Sequence, residues 1–335
     1  MDANPLDAVP LPKTPGRHAR LRRWRLLWAA APLVLFLLSL ALLAGDSEPL
    51  AMDDHARRQL PGRFVALSDG YTNYEVLGPE RGPVVLLVPG ISIPRGVFER
   101  TIGPLAEAGY RVVTFDLYGR GFSDRPRIRY DAALFNRQID DLLGALRIED
   151  PVHLVGLASG GLQAMLYAEQ RASRVKSLVL IAPDGVNAPA TGFIRMVRLP
   201  LVGELAGRLV MNAAGQRRWE ERLQQYSADP RLVNHVVEQF RGQLQYKGFW
   251  RALTSSIANL PISESSDLFQ RIERQGTRTL VLWGASDVII PTRLGQEVRR
   301  LMPSARYIEI PAGHLPQYER PDLTNAAIQQ FLGQR

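Results

Sequence analysis

The run Val152-His153-Leu154-Val155-Gly156-Leu157-Ala158-Ser159-Gly160-Gly161, continued by Leu162-Gln163-Ala164-Met165-Leu166-Tyr167-Ala168-Glu169-Gln170, decides how this chain is read. Residues 152–157 form a continuous apolar run of strand length, and 159–171 read as a helix, so a very tight turn must join them. Such a turn needs small residues where strand and helix crowd together. With Ala158 at its apex, Gly156, Gly160 and Gly161 fall on the crowded positions. With Ser159 there, Leu157 would land where a glycine is needed. The spacing therefore places Ala158 at the apex of the strand–turn–helix layout G-x-Nu-x-G, which presents a nucleophile above a sheet. Alanine has nothing to attack with. Ser159 then contributes a backbone N–H beside the apex, one half of an oxyanion hole. A one-residue shift of the turn would make Ser159 the attacking group instead, and both readings stay open.

Outward from this elbow the chain alternates short β-rich runs with amphipathic stretches. Residues 63–67 and 71–77 read as a hairpin around Ser68-Asp69-Gly70. VVLLV at 84–88 has the unbroken apolar character of a strand covered on both faces. Helix over 98–108, strand over 110–115, helix over 130–146 and strand over 175–181 follow. Residues 185–265 lack a good strand and read as several amphipathic helices. The alternation then resumes with strand 279–283, helix 292–301, strand 306–310 and helix 321–331. Strands alternating with helices predict a mostly parallel sheet with right-handed crossovers, in an α/β fold. The helical insertion would stand over the carboxyl ends of the strands, where open α/β sheets place their sites.

Two further residues carry chemistry. Asp287, in WGASDVIIP, follows the strand at 279–283, and His314, in PAGHLPQYERP, follows the strand at 306–310. Loops at the same end of the sheet can bring them together, where the carboxylate fixes the imidazole tautomer and stabilises its cation. The order elbow, Asp, His supports a dyad. Pro89-Gly90-Ile91 follows the strand at 84–88, where the Ile91 N–H could complete the oxyanion hole. The turn-rich run from Asp116 to Pro126 reads as structure beneath the site. Its Gly119-Arg-Gly121 is no dinucleotide fingerprint, and His18, His55, His153 and His235 have no metal-ligand spacing, so no cofactor and no metal are expected.

These segments resemble the α/β-hydrolase superfamily, in the branch of monoacylglycerol lipases, carboxylesterases and ring-cleavage-product hydrolases. VVLLVPG is similar to that family's oxyanion strand, with Pro89 replacing a histidine. FDLYGRGFSDRP is similar to its D-x-x-G-x-G-x-S element, and LVGLASGG to its LVGxSxGG elbow with Ala158 in the serine's place. LVLWGASDVIIP and PAGHLPQYERP match its acid and histidine segments. The resemblance covers residues 62–333 and implies an α/β-hydrolase fold with a core over 62–184 and 266–335 and a helical cap over 185–265. For substrate its motifs are weak.

Composition narrows the remainder. The 335 residues contain no cysteine, which removes disulfides and thiolate catalysis, and 46% are hydrophobic, enough for a sizeable core. The net charge of +8 comes mostly from arginines without interleaved aromatics, so no nucleic-acid partner is expected. Residues 1–25 are polar and basic and are expected to be disordered. The uncharged stretch 26–44, LLWAAAPLVLFLLSLALLA, follows Arg17, Arg20, Arg22, Arg23 and Arg25. As a helix it would span about 28 Å, close to a bilayer's hydrocarbon thickness. The reading is a signal-anchor and a single-pass protein of the bacterial inner membrane, with its globular domain on the extracytoplasmic side. A cleaved signal peptide fits less well, because Leu42-Leu43-Ala44 is a poor cleavage site.

The function expected is that of a carboxylic-ester or lipid hydrolase with Asp287 and His314 in place and Ala158 at the nucleophile position. It would take a small apolar, lipid-like ester. Two alternatives remain: a pseudo-hydrolase that binds an apolar ligand or partner, and an enzyme using the dyad as general base without a covalent intermediate.

Overall fold

VVLLV at Val84–Val88 is buried at every position and becomes strand β3, inside an eight-stranded sheet. The computed structural model describes residues 32–36, 39, 48–186, 191–199 and 213–334. Its other strands are β1 (Arg63–Leu67), β2 (Gly70–Leu77), β4 (Arg111–Phe115), β5 (Val152–Leu157), β6 (Val175–Ile181), β7 (Thr279–Gly284) and β8 (Arg306–Ile310). They lie in the order β1-β2-β4-β3-β5-β6-β7-β8. The β1–β2 and β2–β4 pairs are antiparallel and the pairs from β4 through β8 are parallel. Burial follows position: β5 and β7 are buried throughout, whereas the edge strands β1 and β8 are partly exposed. A strand sandwiched by helices loses its alternation, and an edge strand keeps it.

Helices α1 (Asp54–Gln59), α2 (Glu99–Glu107), α3 (Ala132–Ala145) and α4 (Ser159–Gln170) precede β6. Between β6 and β7 stand α5 (Gly192–Val197), α6 (Ala213–Leu223), α7 (Pro230–Leu244), α8 (Phe249–Asn259) and α9 (Ser266–Gln275). Then follow α10 (Thr292–Leu301), α11 (Pro316–Glu319) and α12 (Pro321–Gly333). Local chemistry sets the ends. Helix α3 starts two residues later than its periodicity suggests because the Asp131 carboxylate accepts the Leu134 N–H at 3.1 Å. Asp229 caps α7 in the same way, with Pro230 at the first helical position. Sequence periodicity missed α9, whose buried face is only Leu268, Phe269 and Ile272.

The chain divides into Met1–Gly45 and Asp46–Arg335. The first unit was expected to hold a membrane-spanning helix, and that is corrected here. Among the described residues no helix is long and apolar enough to cross a membrane. Of residues 26–44, only 32–36 and 39 are described, as helix. The rest of 26–44, like 1–25, lies outside the described residues. The inner-membrane, extracytoplasmic placement is withdrawn with the helix.

Candidate active site

The site grows from the elbow between β5 and α4. Ala158 has φ +50° and ψ −119°, a conformation that L-residues avoid. The glycines explain why it is held there. A Cβ on Gly156 would come within 2.5 Å of the Gly160 carbonyl oxygen, and one on Gly160 within 2.2 Å of the Val88 oxygen. The turn is closed by hydrogen bonds: Ala158 N–H to Ile181 O at 2.9 Å, and Gly161, Leu162 and Asp184 N–H groups to Ala158 O at 2.9, 3.1 and 3.1 Å. Ala158 thus stands at the apex, its methyl half-buried at a cavity wall. Ser159 is the first residue of α4.

Asp287 and His314 meet. The His314 ring shares a hydrogen bond of 2.8 Å between Nδ1 and Asp287 Oδ2, with both side chains buried. The other oxygen of Asp287 accepts the N–H groups of Ile289 and Ile290 at 2.8 and 2.9 Å. The carboxylate is thereby fully engaged and cannot turn away from the ring. Gly284, at the end of β7, makes the meeting possible: a Cβ there would lie 1.7 Å from the Gly313 oxygen. Among the described residues Nε2 of His314 has no hydrogen-bond partner, and the ring lines the same cavity as Ala158.

Ile91 reaches the site after β3, but its N–H is not left open. It donates to Ser159 Oγ at 2.8 Å, so the Ser159 hydroxyl stands between this donor and the cavity. Ser159 N–H heads a helix of twelve residues, and the positive end of that helix faces the cavity floor. The Asp116–Pro126 run lies beneath. Asp116 accepts from the Arg95 and Phe122 N–H groups at 2.8 and 2.9 Å, and burial raises its carboxyl.

Three contributors escaped the sequence reading. Arg120 is completely buried and, among the described residues, has no carboxylate partner; it donates to the Ile91 and Gly119 oxygens and to Ser256 Oγ, and burial lowers its guanidinium to about 9. It ties the backbone around Ile91 to α8. Tyr226, just after α6, sets its ring edge-on to His314 with centroids 4.8 Å apart and accepts the His314 N–H at 3.0 Å through its carbonyl. Asp184 follows β6 and lines the cavity. Its place at the carboxyl end of a strand was a signal that could have found it. Nothing local marks Tyr226 or Arg120.

The cavity enclosed by these groups measures about 330 Å³. Ile93, Phe193, Ile194, Trp219, Ile257 and Ile262 make an apolar wall, drawn largely from the segment between β6 and β7. Phe249 and Trp250 pack into that segment's own interior against Phe240, and Leu199 is exposed.

This sheet, elbow and loop order have counterparts. Residues 85–327 match the Alpha/beta hydrolase family. The chain belongs to that family. Its relatives include a 2-hydroxy-6-oxo-6-phenylhexa-2,4-dienoate hydrolase of Burkholderia cepacia, 27% identical over 81% of this chain and 96% of the relative. An uncharacterised protein of Mycobacterium tuberculosis is 26% identical over 75% of each. Among solved structures, a hydrolase from Pseudomonas aeruginosa aligns with a TM-score of 0.68 and 25% identity, covering 81% of this chain and 98% of the other.

Within an alpha/beta hydrolase, these groups divide into a base and an electrostatic cradle. His314 can take a proton at Nε2 while Asp287 stabilises the resulting imidazolium. Ser159 N–H and the dipole of α4 can stabilise an oxygen that acquires charge. Among the described residues, no group of three or more His, Cys, Asp or Glu could hold a metal ion.

Proposed function

We propose that the site is built to hydrolyse small, apolar, lipid-like carboxylic esters, with Ala158 occupying the position of the attacking group. The observation that carries this is the strained Ala158 apex, held by glycine contacts in one cavity with the open Nε2 of His314. The apolar wall supports an apolar acyl or alcohol part. In this reading residues 62–184 and 266–335 are the catalytic core, 185–265 the cap that shapes the pocket, and Asp287 and His314 the acid–base pair. The Ser159 N–H stabilises the oxyanion, and the Ile91 N–H joins it when the Ser159 hydroxyl releases it.

Restoring an attacking hydroxyl tests it. Ala158→Ser is expected to raise hydrolysis of short p-nitrophenyl esters by at least about 10³-fold, since loss of a triad serine costs about 10⁶. Adding His314→Ala should remove that gain. No gain from Ala158→Ser in a folded protein would overturn the proposal. The dienoate hydrolysed by the Burkholderia cepacia relative is the natural parallel substrate. A second reading, a ligand-binding protein without turnover, draws on the same methyl group at the apex. Fatty-acid or ester binding by a protein inert before and after Ala158→Ser would favour it.

A further inference from the structure

Among the described residues, Asp184 is the acidic side chain lining the cavity that neither the dyad nor the loop scaffold uses. It stands at the carboxyl end of β6, and its N–H is bonded to Ala158 O at 3.1 Å, which fixes it beside the apex. Among the described residues no hydrogen bond or ion pair reaches its carboxylate, although it lines the cavity with Ala158 and His314. Burial raises its carboxyl to about 6, with His314 and Arg222 opposing the shift and Asp287 adding to it. A half-buried carboxylate that faces the cavity without an internal partner is placed to bind something in that cavity.

We propose that Asp184 is a catalytic residue that holds a hydrolytic water against His314, so that water attacks directly at an apex that offers only a methyl group. The inference rests on the ester-hydrolase reading and deepens it. The water would donate one hydrogen bond to the Asp184 carboxylate and the other to His314 Nε2. As its oxygen bonds to the ester carbonyl carbon, Nε2 takes one proton and Asp287 stabilises the imidazolium. The carbonyl oxygen, now negative, faces Ser159 N–H. Cleavage of the bond from the carbonyl carbon to the ester oxygen expels the alcohol oxygen, which takes the proton from Nε2. One water is consumed, an acid and an alcohol form, and nothing is oxidised or reduced.

The experiment follows p-nitrophenyl butyrate hydrolysis by the unaltered protein, Asp184→Asn, His314→Ala and Ala158→Ser between pH 4.5 and 8. The unaltered protein is expected to turn over slowly, with kcat rising through pH 6. Asp184→Asn, which keeps shape and loses charge, should lower kcat about 10- to 100-fold with little change in KM and alter that rise. A merely structural Asp184 would leave the pH profile in place. An unchanged kcat and profile in Asp184→Asn, or slow hydrolysis that survives His314→Ala, would overturn the assignment. So would an unaltered protein no faster than buffer. If Ala158→Ser gains activity in any of those cases, the ester reading stands and only the role of Asp184 falls; if Ala158→Ser also stays inert, both fall.

Discussion

Ala158 holds its backbone at φ +50° and ψ −119°, where a Cβ is crowded by its own peptide groups. Strain of this kind costs of order 1–3 kcal/mol and survives only where the surroundings dictate it. Here they do, through Gly156, Gly160 and four hydrogen bonds at the turn. Ala158→Gly should therefore stabilise the fold by about 0.5–1 kcal/mol, since relief of strain outweighs glycine's greater freedom when unfolded. A urea midpoint that falls instead would show that the apex is not strained. The register of this turn was legible because glycine spacing is a steric statement that sequence alone can carry. The hydroxyl of Ser159 on the Ile91 N–H was not, because the partners lie 68 residues apart and meet only after β3 and β5 pair.

At the scale of elements, the short segment after residue 47 holds the helices between β6 and β7 in place. Leu50 pairs with Tyr246, its N–H donating to Gln245 O at 2.8 Å and its carbonyl accepting the Lys247 N–H at 2.9 Å. Glu48 accepts the Gly248 and Trp250 N–H groups at 2.5 and 2.7 Å, so its carboxylate caps α8 at the positive end of the helix. The same helix carries Ser256, which receives Arg120. Glu48→Ala should cost about 1–2 kcal/mol in chemical unfolding and speed proteolysis near residues 245–248. Unchanged cleavage there would remove this role. Periodicity placed β3, β5, β6 and β8 at their observed bounds, because continuous apolar runs bounded by turns leave little freedom. Helix starts were less legible, since capping by Asp131 or Glu48 depends on one side chain and not on a pattern.

For the molecule as a whole, the sheet's centre carries an acid sensitivity. His153, on β5, is buried with Nδ1 2.7 Å from Ser177 Oγ, and burial lowers its pKa to about 4. The unfolded chain takes up this proton near pH 6.5, well before the folded one does. The contribution is therefore complete above pH 6.5 and is lost as the pH falls towards 4, by roughly 3 kcal/mol in all. Unfolding free energies at pH 7 and 4.5 should differ less in His153→Gln than in the unaltered protein, and equal differences would exclude His153 as the source. The overall fold was legible because the family's chemistry sits on loops at strand ends, each announced by its own strand. For Asp184 the strand-end position was legible, but not what distinguishes it, a carboxylate that among the described residues has no partner in the assembled cavity. The apolar stretch 26–44 misled because hydropathy by itself does not establish a helix long enough to cross a membrane, and among the described residues none is.

The elbow also has a meaning for inheritance. Every alanine codon becomes a serine codon by changing its first base from G to T, so residue 158 lies a single nucleotide from a hydroxyl. The glycines around that position and the hydrogen-bonded Asp287–His314 pair would receive the new side chain without further change. Random mutagenesis followed by growth on an ester as sole carbon source should then recover Ala158→Ser repeatedly as a one-step gain. On the proposed reading, a faster enzyme is encoded by a neighbouring genotype one mutational step away.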